Sequence, residues 1–261
     1  MRLGRRRVRP RAVLLAIGIA GLASLLGAAL RALPPSGSGA SAYGDLLVAR
    51  SVPERRAQDV VAAVNFDYRG FDTIGEEFIL FAAVVGVLTI LRRRDDEEDV
   101  TARDEDASAA RAPPPTSGAV RVLGAGLAGA TVCFGLYMAT HGQVSPGGGF
   151  QGGVVLATAP LATYLAMEVS VFEKIAPRWL IALGEGAGAA GFVALGFLGL
   201  LAGRAFLENV LPLGEAGDVL SSGTILAANV AVALEVAAGL VLLLAAFLAE
   251  ALHRRLRRGA R

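Results

Sequence analysis

The chain has 261 residues, 54% of them apolar, and a formal net charge of +2. Its mean hydropathy of +0.56 excludes an ordinary soluble domain, because the apolar residues are gathered into runs of about 20, the length that crosses a hydrocarbon core of roughly 30 Å. So small a net charge gives no footprint for nucleic acid, and a single cysteine excludes an internal disulfide. Cys133 lies inside an apolar run and is expected to be a small buried hydrophobe.

In chain order, Arg2, Arg5, Arg6, Arg7, Arg9 and Arg11 precede an apolar run over residues 12–33, broken only by Arg31. A signal peptide is the rival reading, with Ala40-Ser41-Ala42 as a small-x-small cleavage site. The run exceeds the usual signal core of about 7–15 residues, so an uncleaved first span is expected. Residues 34–56 hold Pro, Gly and Ser and read as a loop on the far side of the membrane. Residues 57–65 are moderately amphipathic and read as a short surface helix. Thr73 and Glu76 have capping-box spacing, which predicts a spanning helix over 73–91, stopped by Arg92, Arg93 and Arg94. Residues 92–118 are charged, carry Pro113, Pro114 and Pro115, and lack large apolar residues, so they read as a linker.

Beyond the linker, residues 119–252 form a second module with spans expected at about 119–140, 153–170, 180–203 and 224–250. Residues 253–261 are a basic tail. The loop over 205–223 has Glu208, Glu215 and Asp218 but no arginine or lysine. Placing the arginine-bearing segments in the cytoplasm is consistent with every loop if the chain crosses the membrane about six times with both termini inside. The fold class expected is therefore an all-α, polytopic transmembrane helix bundle, with residues 1–91 as a two-span N-terminal module.

An ionisable side chain at the centre of a span costs at least about 2.5–3.5 kcal/mol, so each one raises a functional question. Glu235 lies near the middle of the last span. It reads either as a carboxyl that exchanges a proton in a wet cavity or as a neutral group hydrogen-bonded to a neighbouring helix. Glu185 lies about a turn into its span, among Gly184, Gly186, Gly188 and Gly191. Gly184 and Gly188 make a small-xxx-small pair that lets helices approach, so Glu185 either faces the helix of Glu235 or sits near the headgroups. Asp67, Arg69, Asp72, Glu76 and Glu77 crowd the mouth of the second span. Acidic residues favour a helix N-terminus and Arg69 can pair with Asp67 or Asp72, yet Glu76 or Glu77 is also a candidate ion-path residue. His141 either switches charge near physiological pH or fixes a turn by hydrogen bonding. With one other histidine and no cysteine pair, no metal site is expected from this chain alone. Its loops carry no nucleophile–base pair, so neither an enzyme nor a bound cofactor is expected.

His141 opens the stretch His141-Gly142-Gln143-Val144-Ser145-Pro146-Gly147-Gly148-Gly149-Phe150-Gln151-Gly152-Gly153. Such a density of glycine cannot continue a helix and predicts a sharp, tightly packed turn. No Lys-Ser/Thr follows, so it does not fit a phosphate loop. Together with Phe134-Gly135-Leu136-Tyr137, this stretch resembles the signature of the MnhB/MrpB family, the B subunit of Mrp-type sodium/proton antiporters with relatives in membrane-bound hydrogenases. Gln143 stands where that family is expected to have His or Asn. The resemblance runs from about 119 to 245 and takes in Glu185, Glu235 and residues 206–214. The segment Phe66-Asp67-Tyr68-Arg69-Gly70-Phe71-Asp72-Thr73-Ile74-Gly75-Glu76 resembles a piece near the C-terminal end of the Mrp A subunit, and a small hydrogenase subunit.

The resemblance implies a multi-pass subunit of the cell inner (plasma) membrane. It would work in a sodium/proton antiporter complex with A-, C- and D-type subunits, within the lipid bilayer, Na+ and H+ being the transported ions. Glu235 and Glu185 would be mid-path carboxyls, with His141, Asp72 and Glu76 near the outer mouth. The alternative is a scaffold subunit of a membrane-bound hydrogenase or related complex, without a titrating role.

Overall fold

A computed structural model describes residues 10–33, 41–91, 117–166, 172, 174 and 176–259. Nearly all of the expected linker and the arginines before residue 10 lie outside these, as do residues 167–170 at the end of the expected 153–170 span. The described residues are helices and turns with no strand. Two compact units divide the chain, Met1–Leu46 and Leu47–Arg261. In the first, helix α1 (Pro10–Arg31) begins on a proline, which is suited to a first helical position because its missing N–H would have no partner there. From Val13 onward its large apolar side chains are exposed, as expected of a helix surrounded by lipid.

Residues 34–56, read as a loop, contain helix α2 (Ala42–Arg55) instead. Ser41 starts it: its Oγ accepts from the Gly44 amide at 3.1 Å. Pro53 lies in the last turn, where it ends the helix without disrupting the part before it. Next comes α3 (Val60–Ala63), capped by Asp59, whose Oδ1 accepts from the Val61 amide at 2.8 Å. Burial and, against it, the hydrogen bond from Val61 act on this carboxyl, with the net effect of raising its pKa. A π-helical turn, Val64–Tyr68, leads into α4 (Gly70–Leu91). The expected surface helix over 57–65 is thus a buried one: Ala57, Ala62, Ala63 and Phe66 are all in the core. Its weak amphipathicity comes from alanines, which are small enough to let the segment pack on the bundle. The expected capping box does not form either. Because α4 already starts at Gly70, Thr73 is inside the helix, and its hydroxyl donates to the Asn65 carbonyl of the π turn at 2.6 Å.

Helices α5 (Gly118–Thr140), α6 (Gly149–Ala166), α7 (Arg178–Leu201) and α8 (Thr224–Gly259) complete the larger unit. At 36 residues and about 1.5 Å per residue, α8 is roughly 54 Å long. It is the central column: α4, α5, α6, α7 and the π turn all pack against it. Five helices are long and apolar enough to cross a membrane: Val13–Arg31, Gly70–Leu91, Gly118–Thr140, Arg178–Leu201 and Thr224–Ala251. This is one fewer than the six expected. The difference is α6, only 18 residues long and diluted by Gln151 and Pro160, yet packed between α5 and α8.

The glycine stretch also corrects the sequence reading. Its turn ends at Gly148, and Gly149, Gly152 and Gly153 are the first residues of α6. They serve close helix packing rather than turning. A Cβ on Gly149 would meet the Asn229 carbonyl at 2.5 Å, one on Gly153 would meet the Val236 Cβ at 2.7 Å, and one on Gly152 the Ala139 amide at 2.9 Å. α6 is therefore wedged backbone-first between α5 and α8. Cys133 is exposed rather than buried, because it lies on the outer side of α5 with Val132 and Phe134.

Candidate functional site: a carboxyl cluster on the central helix

Three glutamates on three helices converge on one stretch of α8. Along α4 the buried residues are Gly70, Thr73, Glu77 and Val84, spacing that puts them on one helix face. Along α7 they include Glu185, Gly188 and Phe192. Glu235 is 1% exposed, Glu77 3% and Glu185 6%. Gly188 brings α7 to this point: a Cβ there would lie 2.5 Å from the Glu235 amide nitrogen and 2.7 Å from the Ala231 carbonyl oxygen. Gly239, one turn beyond Glu235, leaves room for Glu185, whose Oε1 would be 3.6 Å from an added Cβ. The expectation that Glu185 faces the helix of Glu235 is met.

The carboxyls of Glu77 and Glu235 lie within hydrogen-bond reach of each other. None of their four oxygens has another hydrogen-bond partner among the described residues, and neither has Oε1 of Glu185. No ion pair among the described residues reaches the three. An ionised carboxylate only accepts hydrogen bonds, whereas a carboxylic acid also donates. The geometry therefore suits a proton held between Glu77 and Glu235. It also leaves Glu185 one turn along as a next acceptor.

The other mouth residues divide by direction. Asp67 turns inward, its side chain 6% exposed, and pairs with Arg55 Nε at 2.6 Å. Arg55 also lies over the Tyr68 ring, 5.4 Å from its centroid. The Tyr68 hydroxyl donates to Glu54 at 3.1 Å. Burial and this hydrogen bond push that hydroxyl up to about 12, so it remains a donor at any physiological pH. Arg69 pairs with Asp72, both about half exposed, and Glu76 is exposed. Of the five mouth residues only Glu77 joins the cluster. Replacing Arg55 by Met leaves the buried Asp67 without its cation. The expected loss is about 2 kcal/mol, below the 3–5 of a fully buried pair because Arg55 is partly exposed. A lower midpoint of thermal unfolding in detergent would show it.

His141 caps α5 and has local partners. Its Nδ1 is 3.0 Å from the Tyr137 carbonyl and 3.1 Å from the Thr140 hydroxyl, and its ring stacks on Tyr137 with centroids 4.2 Å apart. Below it the turn is pinned to α8. Asn229, fully buried, accepts from the Gly149 amide at 2.7 Å and donates to the Ile225 carbonyl at 3.1 Å. Gly142 and Gly148 close around it. Gln143, also fully buried, donates to the Val219 carbonyl at 2.7 Å, and its backbone carbonyl accepts from the Gln58 and Asp59 amides. Ser145 donates to the His141 carbonyl at 3.4 Å; Pro146 and Gly147 complete the bend, and Phe150 packs on the core. Gln151 is exposed.

Sequence reasoning did not find the contact of Glu77 with Glu235, the Arg55–Asp67 pair or the role of Asn229. A signal existed for the first: Thr73 and Glu77 are four residues apart on the face of α4 that carries its small and polar residues. Nothing in the sequence pairs Arg55 with Asp67, since the intervening π turn sets their approach.

Comparison with known proteins agrees with this architecture. Residues 119–242 match the family described as a domain related to the MnhB subunit of Na+/H+ antiporter. This segment is an MnhB-related domain. Residues 5–107, ahead of the MnhB-related domain, match the family of the MBH E-type subunit. An uncharacterized protein of Methanocaldococcus jannaschii is 28% identical over 196 residues, 69% of this chain and 73% of its own. In the structure of the membrane-bound sulfane sulfur reductase (MBS), an archaeal respiratory membrane complex, one chain is 26% identical with a TM-score of 0.69. The match covers 92% of this chain and 99% of that one. In the Mrp complex from Dietzia sp. DQ12-45-1b, one chain is 24% identical with a TM-score of 0.67 over 92% of this chain. That likeness is one of fold, and this chain spans only 26% of that longer chain.

Proposed function

We infer that this multi-pass membrane protein is a subunit of a multisubunit complex that exchanges a monovalent cation for protons across the plasma membrane. A-, C- and D-type subunits would be its partners, with Na+ as the cation and both termini in the cytoplasm. Glu77, Glu235 and Glu185 hold and pass protons within the bundle. One observation carries the reading: two carboxyls from different helices meet at the centre of the fold with no cation to neutralise them. A purely structural contact has no need of two acids, and apolar residues of similar volume pack as well or better at such a place. The MnhB-related domain and the segment ahead of it supply the rest.

The test is cation-driven proton movement in everted vesicles from cells expressing the whole complex, wild type against Glu235→Gln, with assembly followed on native gels. Gln keeps hydrogen bonding and loses titration. Exchange should collapse in an intact complex; persistence of exchange would make the chain a scaffold. A second reading has its own support. The likeness to the sulfane sulfur reductase chain spans nearly the full length of both proteins, so the chain also fits a respiratory or hydrogenase-type complex in which the same carboxyls move protons without an exchanged cation. Proton movement that needs reductant and ignores Na+ would favour it.

A further inference from the structure

The carboxyl cluster has a lid on one side. Asn229, near the start of α8, touches Gly142 and Gly148, so the start of α8 marks the glycine-turn end of the bundle. Buried polar groups gather there: Gln143, Ser221, Ser222 and Thr224. Below them the lining changes. Gly188 and Gly191 of α7 lie against Ala231 of α8, while Gly184 lies against Leu234 and Ala238. The two helices are thus antiparallel, and Phe192 stands on the glycine-turn side of Glu185. Phe192 is 1% exposed, Phe66 of the π turn is 5% exposed, and their ring centroids are 6.3 Å apart. Ala63, Ile225, Ala228 and Val232 close the layer around them. A polar vestibule, an apolar plug and a carboxyl cluster therefore follow one another along α8.

We propose that Phe66, set against Phe192, is a hydrophobic gate that seals the carboxyl cluster from the glycine-turn face and opens by a change of register in the π-helical turn. The inference rests on the cluster being a site that must be reached. A narrow apolar constriction excludes water and ions without a covalent or charged barrier. The π turn supplies the moving part. It holds one more residue than an α-helical turn and is a recurrent feature of functional sites. Releasing that residue re-aims Phe66 by about 100°, the rotation of one residue on an α-helix. The flanking bonds that would guide the motion are present. Thr73 holds the Asn65 carbonyl just before Phe66, and Arg55 holds Asp67 just after it.

The test is access to the site rather than transport. In the whole complex, with Cys133→Ser removing the exposed native thiol, Glu235→Cys is challenged with a membrane-impermeant methanethiosulfonate from the glycine-turn face. Leu220→Cys, at an exposed position of the 205–223 loop, identifies that face. Glu235→Cys should be unreactive while Phe66 is present. Adding Phe66→Ala should make it react on the time scale of Leu220→Cys, and Phe66→Leu, which keeps an apolar side chain, should restore protection. If Phe66→Ala fails to assemble on native gels, Phe192→Ala opens the same layer and must give the same gain. Labelling with Phe66 intact would overturn the gate. So would continued protection in an assembled alanine variant, or equal labelling in Phe66→Leu. Failure of the transport reading leaves this readout unaffected, since it requires no exchange.

Discussion

Replacing Gly188 by Leu should abolish assembly of the subunit. Ordinary overpacking costs about 1–3 kcal/mol because side chains can shift. At Gly188 the first added carbon already meets backbone, the Glu235 amide at 2.5 Å and the Ala231 carbonyl at 2.7 Å. Backbone in the middle of two packed helices cannot yield without separating α7 from α8, so the cost should reach or exceed the upper end of that range. Even Gly188→Ala should weaken the fold. Gly186, two residues earlier on the same helix, has nothing within 4 Å of an added Cβ, so Gly186→Ala should be neutral or slightly stabilising through helix propensity. Size-exclusion profiles of fluorescently tagged variants in detergent distinguish the two. Equal behaviour of Gly186→Ala and Gly188→Ala would mean that α7 does not meet α8 through this glycine.

The second large effect concerns Glu77 and Glu235 together. Glu77→Gln and Glu235→Gln should each remove most of the exchange activity, and the double variant should lose no more than either single one. Groups that act as one unit are not additive, because removing either already disables the unit. Gln retains a donor and an acceptor, so the two helices stay joined. A sharper variant is Glu77→Leu with Glu235→Leu. It removes four buried oxygens that lack other partners, and replacing buried ionisable pairs with packed apolar residues is often neutral or stabilising by about 1–4 kcal/mol. That variant should assemble at least as well as the wild type and transport nothing. Additive losses in the two Gln variants, measured as initial rates in vesicles, would place the carboxyls on independent routes.

Much of this architecture was legible in the sequence because membrane spans announce themselves by length and apolarity. α4, α5, α7 and α8 begin within three residues of where the hydropathy pattern puts them. Glu185 and Glu235 stand out because a charge within an apolar run is costly. Two kinds of information were not legible. Glycine has two uses, and the sequence does not say which applies. The run at 147–149 and 152–153 reads as a turn, but Gly149, Gly152 and Gly153 are helical, packed where two neighbouring backbones leave no room for a side chain. The second kind is direction. Glu76 and Glu77 are adjacent and chemically alike, and only the exact start of α4 decides which one faces α8. A helix started by Thr73 would rotate that face; the start at Gly70 after a π turn puts Glu77 inside and leaves Glu76 exposed. The segment over 57–68 was the hardest part, since alanine is indifferent between a surface and a packed face.

The most direct measurement asks whether Glu77 and Glu235 hold a proton that moves. Infrared difference spectra of the purified complex, recorded as Na+ is added, report protonated carboxyls through their C=O stretch, which shifts in D2O. The account predicts a protonated-carboxyl signal in the wild type that changes with the cation and disappears in both Glu77→Gln and Glu235→Gln. A signal that survives in both variants, or none in an active wild-type complex, would contradict a shared, transferable proton at the centre of this bundle.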